Sequence, residues 1–263
     1  MGKSPKKLFR SLSLSVGSKM ADTIAQISSS VDALMREFDV ITHNLANVST
    51  VGYKRRCNAF SNSLSALQAG GGTEPPSSVT LKAALDFSQG GLVETGRPLD
   101  FALYGKGFFV IETPQGPLYT RNGVFSTNQN GQIVDSQGRI VSGEAGPITV
   151  PGNVGLSQLN VSGDGKIGAG STDIGKFRLV DFKDSESKLV PVGENCYRMP
   201  DVDIRPVPAD RIVVKNGYQE ASNVKLIDEL VDMIMVARLY EANMKLVTAQ
   251  KEASNSVMSV AMG

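Results

Sequence analysis

Two stretches at opposite ends of the chain place apolar residues along one helical face, and they constrain the fold more than any other feature. The first runs Ile24, Ile27, Val31, Leu34, Phe38, Ile41, Leu45 and Val48, in alternating steps of three and four. The second runs Leu226, Leu230, Met233, Ala237, Tyr240, Met244 and Val247 in the same rhythm. Such a seam predicts an amphipathic helix that needs another helix against it. The first would be about 37 Å long at roughly 1.5 Å per residue. Asp22 is read as its N-cap, and Ser222 or Asn223 as the cap of the second. Ile227, Val231 and Ile234 widen the second stripe beyond what one partner helix would cover. Glu241 and Lys245 are spaced as a favourable ion pair.

Between the two seams the period changes to two. Phe101, Phe108–Ile111, Leu118–Thr120, 124–125, Ile133–Val134, 140–141, 148–150, 177–179 and 211–214 read as strands. Gln115-Gly116, Asn122-Gly123, Asn130-Gly131, Gln137-Gly138, Asp164-Gly165 and Asn216-Gly217 separate them as turns. Many short strands at this spacing predict an antiparallel β-domain, sandwich or barrel-like, without βαβ units. The fold class is therefore α+β: terminal helices pairing as a coiled-coil-like domain, with a central antiparallel all-β domain. Its parts are a basic leader over 1–19, a helix and its end over 20–68, a Gly- and Pro-rich linker over 69–80, the β-domain over 81–217 and the second helix over 218–263. The leader is read as a disordered tail or as sequence upstream of a start at Met20.

Charge and composition exclude several functions. Lys and Arg total 27 against 26 Asp and Glu, a balance that offers no footprint for nucleic acid. No apolar run approaches the roughly 18 residues of a membrane span. Cys57 and Cys196 are too few and too far apart for a disulfide framework or zinc site, and His43 is the single histidine. His43, near the end of the first helix, reads as a hydrogen-bonding residue.

Gly105-Lys106-Gly107 has Val110 where a dinucleotide fingerprint needs its third glycine, so it reads as a bend between strands. The stretch from Ser126 to Gln137 lacks the closing glutamate of a calcium loop and reads as a hairpin. No carboxylates pair on one surface, so no catalytic residue, cofactor or metal is expected.

The densest local pattern is Asn44-Leu45-Ala46-Asn47-Val48-Ser49-Thr50-Val51-Gly52-Tyr53-Lys54. Asn47 and Ser49-Thr50 compete for the helix backbone and stop it. Gly52 permits a positive φ, Tyr53 offers an apolar body with a polar tip for docking the reversing chain, and Lys54-Arg55-Arg56 reads as a small basic patch.

That segment resembles the signature of the bacterial flagellar rod and hook proteins, an Asn-Leu-Ala-Asn stretch followed by Thr-x-Gly-Phe/Tyr-Lys. Here the matching residues are Asn44, Leu45, Ala46, Asn47, Thr50, Gly52, Tyr53 and Lys54. Leu99-Asp100-Phe101-Ala102 through Gly105-Lys106-Gly107-Phe108-Phe109 is similar to the family's central β-region. So is Tyr119-Thr120-Arg121-Asn122-Gly123-Val124-Phe125. Glu220-Ala221-Ser222-Asn223-Val224 and Arg238-Leu239-Tyr240-Glu241-Ala242-Asn243-Met244-Lys245 resemble its terminal helix. Gly146-Pro147-Ile148 followed by Ser162-Gly163-Asp164-Gly165 is more similar to the proximal rod subunit than to the distal one. His43 departs from the family's usual Asn, and the basic leader has no counterpart.

The resemblance implies a structural subunit of the flagellar basal-body rod, a part of the drive shaft and export channel. It implies partners in copies of itself, other rod subunits and the flagellar type III export apparatus. The residues expected to form the assembly interface are those of the two seams. An alternative at this stage is a secreted β-rich binding module on a helical stalk.

Overall fold

The computed structural model describes residues 5–57, 84–170 and 172–262, with side chains from residue 26 onward except 254 and 257–262. The linker expected over 69–80 and the side chain of Ile24 lie outside these. The chain divides into a helical unit, residues 1–43 and 227–263, and a β-unit, residues 44–226.

The N-terminal helix spans Pro5–Ala46. Asp22 is therefore not a cap: it sits in mid-helix, because residues 6–22 contain one glycine and no proline to stop the backbone. The stop at the other end falls where Asn47 and Ser49-Thr50 predict it. The amide of Asn47 donates to the Asn44 carbonyl at 3.0 Å, and Thr50 to Asn47 at 3.1 Å, closing tight turns in place of the helical ladder.

The C-terminal helix spans Leu226–Met262. Neither Ser222 nor Asn223 caps it. Asn223 is turned to the β-unit, its Oδ1 accepting from the Arg55 amide at 2.7 Å and its Nδ2 donating to the Asp86 carbonyl at 2.8 Å. Asp228 and Glu229 occupy the first turn instead, on the side the helix dipole favours. Lys245 and Glu241 pair at 2.7 Å as their spacing predicts.

In the β-unit, every ladder among the described residues is antiparallel. Six strands form the main sheet in the order Val190–Gly193, Cys196–Arg198, Leu118–Thr120, Phe108–Ile111, Leu179–Asp181, Val207–Pro208. Successive side chains on a strand point to opposite faces, and here both faces are covered. Phe109, Ile111, Leu118 and Cys196 enter one apolar cluster, while Phe108, Val110, Tyr119 and Tyr197 enter the other. That double burial is why 108–111 reads as an unbroken apolar run. Edge-to-face rings knit the larger cluster, with Phe109 at 5.2 Å from Phe125 and 5.3 Å from Phe177.

A three-stranded sheet, Leu159–Val161, Lys166–Ala169 and Thr172–Lys176, flanks this core. Phe101–Tyr104 pairs with Val213–Asn216, and Leu92–Glu94 with Tyr218–Glu220. Several expected strands shrink to single bridges, Asp100 with Val124, Ile111 with Val141 and Gln132 with Thr149. The expected strand over 177–179 is split, since Phe177 leaves the ladder to fill the aromatic cluster. Its neighbour over 211–214 begins two residues later, at Val213. The hairpin at Asn130-Gly131 joins Ser126–Thr127 to Ile133–Val134, with Asn128 Oδ1 accepting from the amides of Asn130 and Gln132.

Candidate functional site: helical faces and a buried clasp

Along the two terminal helices the predicted seam residues divide by exposure. Ile41 is buried, and Ile27, Val31, Leu34, Met233 and Val247 are half-buried. Phe38, Leu226, Leu230, Tyr240 and Met244 are 39–47 % exposed, and Ala237 is exposed as well. Burial on the C-terminal helix falls on a neighbouring line that includes Glu229, Met233 and Val236. Ile227, Val231, Ile234, Met235 and Leu239 add further open apolar surface, Ile227 being 74 % exposed. An apolar groove of about 290 Å³ is lined by Leu34, Met35, Phe38 and Asp39 from one helix and Val236, Ala237 and Tyr240 from the other. Scattered exposed apolar residues are ordinary; a continuous stripe of this width is not.

The Asn44–Lys54 signature turns inward. Asn44, in the last helical turn, is fully buried. Its Oδ1 accepts from the Tyr53 hydroxyl at 3.0 Å and the Arg56 amide at 2.9 Å, and its Nδ2 donates to the Arg56 carbonyl at 2.9 Å. Asparagine is the residue for this place because one side chain supplies both donor and acceptor. Tyr53 thereby docks the reversing chain. Thr50 Oγ1 donates to Asn47 Oδ1 at 3.2 Å, and the Val51 carbonyl accepts from Asn195 Nδ2 at 2.9 Å. Leu45 is half-buried and Ala46 exposed.

Gly52 has a φ of +69°, and a Cβ there would lie 2.6 Å from the Asn122 amide nitrogen. Both the conformation and the space demand glycine. Gly52→Ala is expected to cost about 2–3 kcal/mol, measured as a fall in the urea midpoint. An unchanged midpoint would show that the turn relaxes without cost.

Lys54 is not part of a basic patch, which corrects the expectation from sequence. It is 1 % exposed. Its Nζ donates to Glu220 Oε1 at 2.7 Å and to the Ser88 carbonyl at 2.6 Å. Glu220, 0 % exposed, also accepts at Oε1 from the Gly90 amide at 3.0 Å and at Oε2 from Arg121 Nη1 at 3.4 Å. The Gly52 amide donates to the Glu220 carbonyl at 2.7 Å. Arg121 in turn donates to the Gly105 carbonyl at 2.6 Å and stands 5.5 Å from the centre of the Phe108 ring. Burial pushes the Lys54 ammonium below its ordinary pKa, and Glu220 pulls it back. The same two causes act in the same order on Arg121.

Burial raises three acids nearby: the Cys196 thiol above its ordinary 9.0, and the Tyr119 and Tyr197 phenols above 10.0. Between the ordinary and the raised value the unfolded chain has lost a proton that the folded chain keeps. Stability from these groups is whole below about pH 9 and falls as pH rises. Lys54, lowered from 10.5, acts the other way, and its gain is complete only once pH passes about 10.5. Arg121, lowered from 12.5, also opposes the three acids as pH rises toward that value. The urea midpoint is expected to fall from about pH 10.5 to 11.5; a flat or rising midpoint would contradict this assignment.

The clasp residues lie 99 and 166 positions apart from one another in pairs. No periodicity links them, and sequence reasoning passed over Glu220 and Arg121 as partners of Lys54. Their one signal was membership of motifs that resemble a known family.

Comparison with known proteins bears on both parts of the site. Residues 102–169 match the family model "Flagellar hook protein FlgE/F/G D1 domain", and residues 215–260 match "Flagellar basal body rod FlgEFG protein C-terminal". The flagellar basal-body rod protein FlgG of Buchnera aphidicola subsp. Schizaphis graminum is 33 % identical over 247 residues, 84 % of this chain and 93 % of that protein. FlgF of Caulobacter vibrioides is 31 % identical over 228 residues, covering 86 % and 91 %. FlgF of Mesorhizobium japonicum is 32 % identical over 243 residues, covering 91 % and 97 %. Arg121 falls inside the first matched region and Glu220 inside the second.

Proposed function

The chain belongs to the flagellar basal-body rod protein family, and from that premise we propose that its terminal helices carry the axial cohesion of the rod. It is a structural subunit of the rod, located in the flagellar basal body, and assembles with other rod subunits. Family membership sets aside the secreted binding module on a stalk. Among the described residues, no helix is long and apolar enough to cross a membrane.

The observation that supports helical cohesion is the open apolar stripe of the C-terminal helix, from Leu226 and Leu230 to Tyr240 and Met244. The two helices pair in the assembled rod as a coiled-coil-like layer, and helices of neighbouring subunits cover the stripe. A contact between unlike surfaces propagates into a helical array and does not close. The layer then lines the export channel, and the subunit reaches its place unfolded through the flagellar type III apparatus. The role is to transmit torque and enclose a channel, without catalysis or a cofactor.

The stretch Gly146-Pro147-Ile148 and Ser162–Gly165 favours the proximal end of the rod. Immunogold labelling of purified hook–basal bodies with an antibody to the β-unit tests this. Label at the membrane-proximal end is expected. Label further out moves the subunit to the distal rod, and no label on particles with accessible epitopes overturns incorporation itself.

A further inference from the structure

We propose that residues 213–223 form a closing strap on whose arrival the folding of the whole β-unit depends, so that a chain delivered N-terminus first, synthesis included, stays open until this segment is free.

Three fully buried charged side chains take partners from this one short segment. Glu220 supplies the carboxylate to both Lys54 and Arg121. Gln219 Nε2 donates to Asp100 Oδ2 at 2.7 Å, and the Gly217 amide donates to the Asp100 carbonyl at 2.8 Å. Without the strap, Lys54 would keep the Ser88 carbonyl alone. Asp100 would keep the Thr95 hydroxyl at 2.7 Å and an exposed partner in Arg97, whose Nε stands 3.7 Å from its Oδ1. That oxygen makes no hydrogen bond even in the closed fold. Burying charges that have lost their partners is opposed by desolvation, on a scale that rivals the net stability of a domain.

The strap also completes the apolar interior. Val213–Asn216 pairs along its whole length with Phe101–Tyr104, and Val214 is buried in the larger cluster beside Phe101 and Leu103. Asn216 Nδ2 ties the Pro98 carbonyl at 2.9 Å, and the Ala221 amide ties Gly91 at 2.8 Å. In chain order the strap is the last part of the β-unit before the C-terminal helix. The unit therefore holds nearly all its apolar sequence early, yet closes only when its final residues arrive.

Pulsed hydrogen exchange during refolding of the full wild-type chain reads this order. Amides of Phe101–Tyr104, Phe108–Ile111 and Leu118–Thr120 are expected to gain protection in the same phase as Tyr218–Glu220. Core strands protected while residues 213–223 still exchange would overturn the proposal. In full-length Glu220→Gln, the phase is expected to slow roughly tenfold or more across the entire unit, or to be lost from all of it. Loss confined to residues 213–223 would again count against the strap. Either failure leaves the rod assignment standing, because that rests on the family.

Discussion

Glu220→Ala is expected to cost roughly 3–5 kcal/mol of stability, as much as truncating a buried core phenylalanine. The carboxylate serves Lys54, Arg121 and the Gly90 amide together, and all of it is removed from water. Truncating it leaves two cations facing each other with only carbonyls as hydrogen-bond acceptors, and neither reaches solvent. A typical domain is stable by about 5–15 kcal/mol, so this one change consumes much of the margin. Urea unfolding followed by circular dichroism measures it. The double substitution Lys54→Met with Glu220→Met should recover only the share of the loss due to Lys54, because Arg121 stays buried without its carboxylate. A single-variant loss below about 1 kcal/mol would show that the pair behaves as a surface contact despite its burial.

Leu230→Asp is expected to abolish motility while leaving the isolated subunit nearly as stable as before. Leu230 is 41 % exposed in the single chain, so a carboxylate there keeps its water. Surface changes of this kind fall within about 0.5 kcal/mol. In the assembled rod the same carboxylate would lose its water against a neighbour's apolar side chains, a penalty of at least several kcal/mol per buried charge. Because each subunit repeats the fault, assembly fails well before folding does. Leu34→Asp, at a half-buried position in the wall of the apolar groove, should also block assembly and leave the β-unit folded, at some cost in stability to the helical unit. Soft-agar swimming, electron microscopy of basal bodies and circular dichroism of the monomer separate the two effects. Normal rods in either variant would refute the helical-cohesion reading.

Much of the architecture was readable before any coordinates. The seams marked both helices, the asparagines and hydroxyls after Ala46 marked the first helix end, and the Asn-Gly pair at 130 marked a hairpin. These are local effects, written within a few residues. What failed was set at long range. Asn223 has the chemistry of a cap, but Arg55 and Asp86 claim it first. Lys54 sits in a run of three basic residues and looked solvated, yet it is buried because a carboxylate 166 positions away meets it. The seam phase on the C-terminal helix predicts what a partner helix would cover, whereas burial in the single chain follows the line through Glu229 and Val236. Asp22 failed for a simpler reason: a cap needs a stop before it, and residues 6–22 provide none.

The outer strands of the six-stranded sheet, Val190–Gly193 and Val207–Pro208, each contain a proline, at Pro191 and Pro208. A strand edge ordinarily offers unpaired amides to any passing strand, and a proline withholds one of them. For a molecule that must meet its own copies at high density, this decides which surfaces are allowed to stick. Sheet-to-sheet accretion, the route to amyloid, is blunted on both flanks. On the helical-cohesion proposal, polymerisation is then left to the helices, and crowding of subunits would yield an ordered filament and not a tangle.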